Sequence, residues 1–195
     1  AITIFIVAVA WAGIKWDPRW QRLAQTVPVA LDTKTHTAWL DPPGSPLRIT
    51  SDGHRAEESA YQRIAWAKVG AGLLLEHPLG LEISRNTFYD LVNERYGRGS
   101  MAHAHNSIID FGLNTGFPGL ALWFVFVCSL LVNGWRATQS NAAIAGWALI
   151  FLVLMYLARS MLDSIMRDHV LEQFMLTAGL LLGAIECDQT EQAVG

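Results

Sequence analysis

The stretch MAHAHNSIIDFGLNTGFPG, Met101 to Gly119, sets His103 and His105 one residue apart, follows them with Asn106, and runs into an apolar segment. Three chemistries fit such a group. Alternating imidazoles on an extended segment can face one ion, but a catalytic zinc needs a third protein ligand. Asp110 and His169 are the nearest candidates, and neither falls at a recognised spacing. A structural reading gives the histidines to backbone carbonyls and makes Asn106 or Ser107 a helix N-cap. The third is a general base, since a neutral imidazole with a pKa of about 6.5 can take a proton from a hydroxyl at working pH.

The elements that would hold these residues are membrane elements. Of 195 residues, 52% are hydrophobic and 16% charged, against about 25% charged in a soluble domain. Mean hydropathy is +0.27. The charge deficit falls in four segments, which predicts an all-α integral membrane protein with about four transmembrane helices and one large polar loop. A net charge of −3 without clustered Lys and Arg excludes a nucleic-acid footprint. The two cysteines, Cys128 and Cys187, give neither a disulfide framework nor a thiolate zinc site.

Residues 1–16 look like the exit half of a truncated first span, because AITIFIVAVAWAGI falls short of the ~20 residues a bilayer requires. A fragment of a longer membrane protein is therefore expected. Lys15, Trp16, Arg19 and Trp20 form an aromatic and basic belt suited to a bilayer surface. Residues 17–116 make the large loop. Its DPPGSPLRITSDGH portion has no helical or strand period.

Further along the loop, RAEESAYQRIAWAKVGAGLLLEHPLG reads as a helix stopped by Pro78 and Gly80. Its apolar stripe is predicted at Ile64, Ala67, Ala71, Leu74 and Leu75, with Arg63 beside it. SRNTFYDLVNERYGRG reads as a second, shorter amphipathic helix. Three spans occupy 117–186, beginning near Phe117, Ala142 and Val170, and 187–195 is a tail. An even number of spans puts the large loop and the connector RSMLDSIMRDH on one side; the loop's length argues for the periplasm, although Arg136 against Arg159 and Arg167 leans the other way.

His105-Asn106, nine residues, then Gly116-Phe117-Pro118-Gly119 resembles the signature of the O-antigen ligase family, with its relatives the O-antigen polymerases and bacterial protein O-oligosaccharyltransferases. Upstream, Arg63-Ile64-Ala65-Trp66 and LLLEHPLGLE resemble the family's periplasmic loop, so the likeness runs from about Ser59 to Leu122. The resemblance implies a GT-C-like multi-pass glycosyltransferase of the bacterial inner membrane with its large loop periplasmic, working without a metal or other cofactor. It would move a glycan from undecaprenyl diphosphate to a hydroxyl acceptor, first of all lipid A-core. By motif, His105 takes the catalytic position and Arg63 that of an arginine holding the diphosphate. Asn106 and His103 join the substrate site. The family's additional N-terminal spans and their arginine-bearing loop are not represented here.

Other residues carry two readings. Arg85, Arg95 and Arg98 could add to an anionic pocket or be solvated, and Arg159, Asp163, Arg167 and His169 could line the rim of a site or anchor helices. Trp66 suits packing as well as a site, and Asp110 could orient His105 or favour the helix dipole. Polymerase and protein-transferase activities stay open as alternatives, as does a non-catalytic membrane fragment.

Overall fold

The computed structural model describes residue 11 and residues 15–35, 37–40, 49–81, 83–97, 103–167 and 169–194. The described residues form six helices: α1 (Pro18–Leu31), α2 (Glu58–Glu76), α3 (Thr87–Tyr96), α4 (Ser107–Ala137), α5 (Ala143–Ser160) and α6 (His169–Val194). Among them the one β-type pairing is an isolated bridge between Ile49 and Arg55. The protein is all-α. The expected truncated span at 1–16 lies almost entirely outside the described residues.

Three helices are long and apolar enough to cross a membrane: Ser107–Ala137, Ala143–Ser160 and His169–Asp188 within α6. They turn large apolar side chains outward, including Leu122, Ile144, Met155 and Leu176, a surface compatible with a bilayer. Gly134 and Gly146 bring α4 and α5 together. A Cβ on Gly146 would stand 2.7 Å from the Gly134 oxygen, so only small residues permit this approach.

Two cores divide the molecule. One gathers Trp39, Tyr61, Trp66, Leu73, Phe88 and Leu113 from α1 to α3 and the first turns of α4; the other gathers Leu130, Leu149, Val153, Tyr156 and Phe174 between the spans. Helix α4 belongs to both. It begins at Ser107 rather than Phe117, and its backbone breaks at Gly116, where φ is 68° and ψ −172°. Pro118 lacks an N–H, and the freed Phe117 N–H donates to the Pro78 carbonyl at 2.8 Å. The Leu81 N–H donates to the Leu113 carbonyl at 3.0 Å. The turn after α2 is thus hydrogen-bonded across the kink.

Several elements differ from expectation. Helix α1 was not expected. Asp17 caps it, accepting from the Arg19 N–H at 2.9 Å, and Pro18 occupies its first turn, so its start signal lies inside the basic belt. The buried face of α2 carries Tyr61, Ala65, Trp66, Val69, Gly70, Leu73 and Leu74, while Leu75 is 70% exposed. The expected stripe was rotated because this helix is apolar on nearly every face after Ala65. Helix α6 continues to Val194, so most of 187–195 is helical. Helix α3 ends as its glycine suggests, with Gly97 in the left-handed region at φ 68°.

Candidate functional site

The histidine segment is fixed at both ends by α4. Asn106 is the N-cap, its side-chain oxygen accepting from the Ile108 and Ile109 N–H groups at 3.1 and 3.2 Å. Its amide also donates to the Met161 carbonyl at 3.4 Å. Asp110, buried one turn on, accepts from the Ala104 N–H at 2.9 Å and from the Ser164 hydroxyl. Asp110 therefore holds the backbone between the two histidines. That is a positioning role, exerted through the backbone on which both imidazoles stand.

The connector between α5 and α6 comes to the same place. The Asp163 carbonyl accepts from the Ser107 N–H at 3.2 Å and the Ser107 hydroxyl at 2.7 Å, and the Met166 N–H donates to that hydroxyl oxygen at 3.3 Å. The large loop and this connector lie at one end of the spans. With its backbone held so, the Asp163 carboxylate faces His105, Oδ1 to Nδ1, at 3.5 Å.

His105 is half-buried and adopts φ 50°, the one described non-glycine residue at positive φ. Such a conformation costs about 1 kcal/mol or more and persists where surrounding contacts enforce it. Those contacts include a hydrogen bond, the His105 N–H donating to His103 Nδ1 at 3.3 Å, and two rings. The Trp66 indole stacks on the His105 imidazole at 5.0 Å and 21°, and the His103 ring lies 4.1 Å away. Trp66 is itself fixed, donating its indole N–H to the Trp39 carbonyl at 3.1 Å. It serves packing and site together.

Burial holds the His105 pKa below its ordinary value, with the neighbouring His103 and the Arg63 charge acting the same way and Asp163 opposing. The shift favours the neutral imidazole, the form able to accept a proton. For Asp163, partial burial is outweighed by the Ser164 N–H and the two histidines, which keep its pKa low and the carboxylate charged. Arg63 stands exposed on α2, one turn before Trp66, close enough for its charge to act on His105. Among the described residues no carboxylate is paired with its guanidinium.

Arg63, Trp66, His103, His105 and Asn106 thus converge where α2 meets the start of α4. Other residues go elsewhere. Arg95 pairs with Glu76, one contact at 3.0 Å, and His169 pairs with Glu172 at 2.9 Å. Arg98 lies outside the described residues. Arg159 lines a groove of about 340 Å³ between α5 and α6, with Leu152, Met155, Tyr156, Val170 and Phe174. Asp163 was expected only as a rim or anchor residue. Its contact with His105 joins positions far apart in the chain, and no local pattern announces it.

No protein family, curated protein or solved structure matches this chain.

Proposed function

We propose that this chain acts as a membrane glycosyltransferase that moves a glycan from undecaprenyl diphosphate to a hydroxyl, with lipid A-core as the acceptor. The observation that carries the reading is the His105 imidazole held between Trp66 and the Asp163 carboxylate at the start of a span-length helix, with Arg63 one turn before Trp66 on the facing helix. A GT-C-like architecture and a periplasmic loop of the inner membrane belong to the same proposal.

Asp163 favours the His105 tautomer with its proton on Nδ1, leaving the Nε2 lone pair for the acceptor. As the acceptor oxygen bonds to the anomeric carbon, its proton passes to Nε2. The bond from that carbon to the diphosphate oxygen breaks, and the diphosphate leaves with the electron pair. Arg63 offers two N–H groups in a plane that matches phosphate oxygens and keeps its charge throughout. His103 and Asn106 border the sugar side. The apolar groove beside Arg159 suits an isoprenoid tail while the head reaches the loop.

The test is complementation. The parent protein is expressed in a strain lacking its own ligase, and lipopolysaccharide is examined on a gel. His105→Ala is expected to lose the polysaccharide ladder at normal membrane levels, because a general base contributes about 10²–10⁴-fold. A ladder at wild-type intensity from His105→Ala would remove the base. Arg63→Lys is expected to weaken the ladder, since a point charge does not reproduce a fork; an unchanged ladder would remove the clamp. Glycan that lengthens on the lipid, or that appears on protein, would move the acceptor to the polymerase or protein-transferase alternative.

A further inference from the structure

We infer that His103, His105 and Asp163 form a binding site for a single zinc-class divalent ion, and that occupancy of this site switches the His105 base off. The sequence lacked a third ligand at a plausible spacing. The fold supplies one from the far connector. One donor atom from each of the three residues lies within 4.8 Å of the other two. In a tetrahedral zinc site with bonds of about 2.1 Å, neighbouring donors stand about 3.4 Å apart. The His105 Nδ1 to Asp163 Oδ1 separation is 3.5 Å, so that pair already has the spacing. The widest pair would close by about 1.5 Å at most, within the reach of side-chain rotation about a fixed backbone.

The backbone is fixed. Asp110 holds the Ala104 N–H between the two histidines, and Ser107 holds the Asp163 carbonyl. The Ser164 N–H donates to the same Asp163 carboxylate at 2.8 Å. Trp66 fixes the plane of the His105 ring. Supporting contacts of this kind are what set ligand orientation in metal sites. Three protein ligands leave a fourth position open toward solvent, and two neutral imidazoles with one carboxylate match zinc's preferences.

Coordination would act through the tautomer. A metal on Nδ1 needs that nitrogen unprotonated, so the imidazole's proton must sit on Nε2. Nε2 then donates and cannot take the acceptor's proton. The silencing half of the inference rests on the proposed transferase reading; the binding half does not.

The test uses the protein without a histidine tag, in detergent micelles, with Cys128→Ser and Cys187→Ser in place so that exposed thiols do not compete. Cobalt(II) is titrated as a coloured probe and displaced by zinc, and metal per chain is counted. One ion per chain is expected, with affinity at least about tenfold weaker in His103→Ala and in Asp163→Asn. His54→Ala, which removes the exposed histidine paired with Asp52, should leave binding unchanged. No bound ion in the parent, or equal affinity in His103→Ala and Asp163→Asn, would overturn the site. Because this readout needs no glycan transfer, an inactive protein that still binds one ion keeps the site and discards the function. An active protein without binding does the reverse.

Discussion

Gly116→Ala is expected to destabilise the protein by about 3 kcal/mol or more, or to prevent its accumulation in the membrane. Two independent penalties add at this position. A φ of 68° with ψ of −172° falls in a region that glycine alone occupies comfortably. A Cβ there would also meet the Pro78 oxygen at 2.5 Å and the Gly80 nitrogen at 2.6 Å. Both are backbone atoms, so no rotamer change relieves the clash. The chain would have to part, breaking the hydrogen bond from Phe117 to Pro78 that joins α2 to the kink. Gly80 is the reciprocal partner, with φ 77° and a Cβ position 2.5 Å from the Gly116 nitrogen, and Gly80→Ala should behave alike. The comparison is Gly72→Ala, in the middle of α2 with nothing within 4 Å of its Cβ position. Helix propensity makes that change neutral or stabilising by up to about 1 kcal/mol. Thermal unfolding in detergent separates them; equal midpoints for Gly116→Ala and Gly72→Ala would mean the crossing does not hold the fold.

The glycine crossing shows what a sequence can and cannot disclose. Gly116 and Pro118 mark a break before a span, and Pro78 and Gly80 mark a helix end. Each signal is local and legible. That the two breaks bond to each other is a tertiary fact, and it gives GFPG a mechanical job besides any place in a family signature. The same division runs through the site. Asn106 as a cap follows from residue type and position, and Trp66 and Arg63 share a helix face one turn apart. Asp163 could not be paired with His105 from spacing, because the partners sit on opposite sides of two spans in the chain. Helix α1 was hidden for another reason: the Asp17-Pro18 start is clear, but Pro28 and a polar, short-range pattern weaken its period.

Asp110→Ala is the substitution expected to couple stability and activity most tightly. The carboxylate is 7% exposed and is the acceptor for the Ala104 N–H and the Ser164 hydroxyl. Its removal leaves two donors near the protein interior without that acceptor, at about 1–3 kcal/mol each. A loss of about 2–6 kcal/mol is expected. A geometric effect adds to the energetic one. Ala104 lies between the two histidines, Ser164 adjoins Asp163, and the Asp110 carboxylate bonds both segments. Without it the His105 ring and its carboxylate partner are no longer held to one frame, and a displacement of about 1 Å can cost on the order of 10²-fold in rate. Asp110→Asn keeps an oxygen for one donor but turns an NH₂ toward the other. It should therefore fold closer to wild type and still transfer poorly. Asp110 acts through its neighbours, so the informative readout is a fall in turnover with little change in the concentration of acceptor needed. Normal melting and normal transfer in Asp110→Ala would show that the histidine loop and the connector hold their positions without this tie. Poor folding with normal specific activity would reduce Asp110 to a structural acceptor, and the left-handed His105 backbone would have to be maintained by its stacking on Trp66 instead.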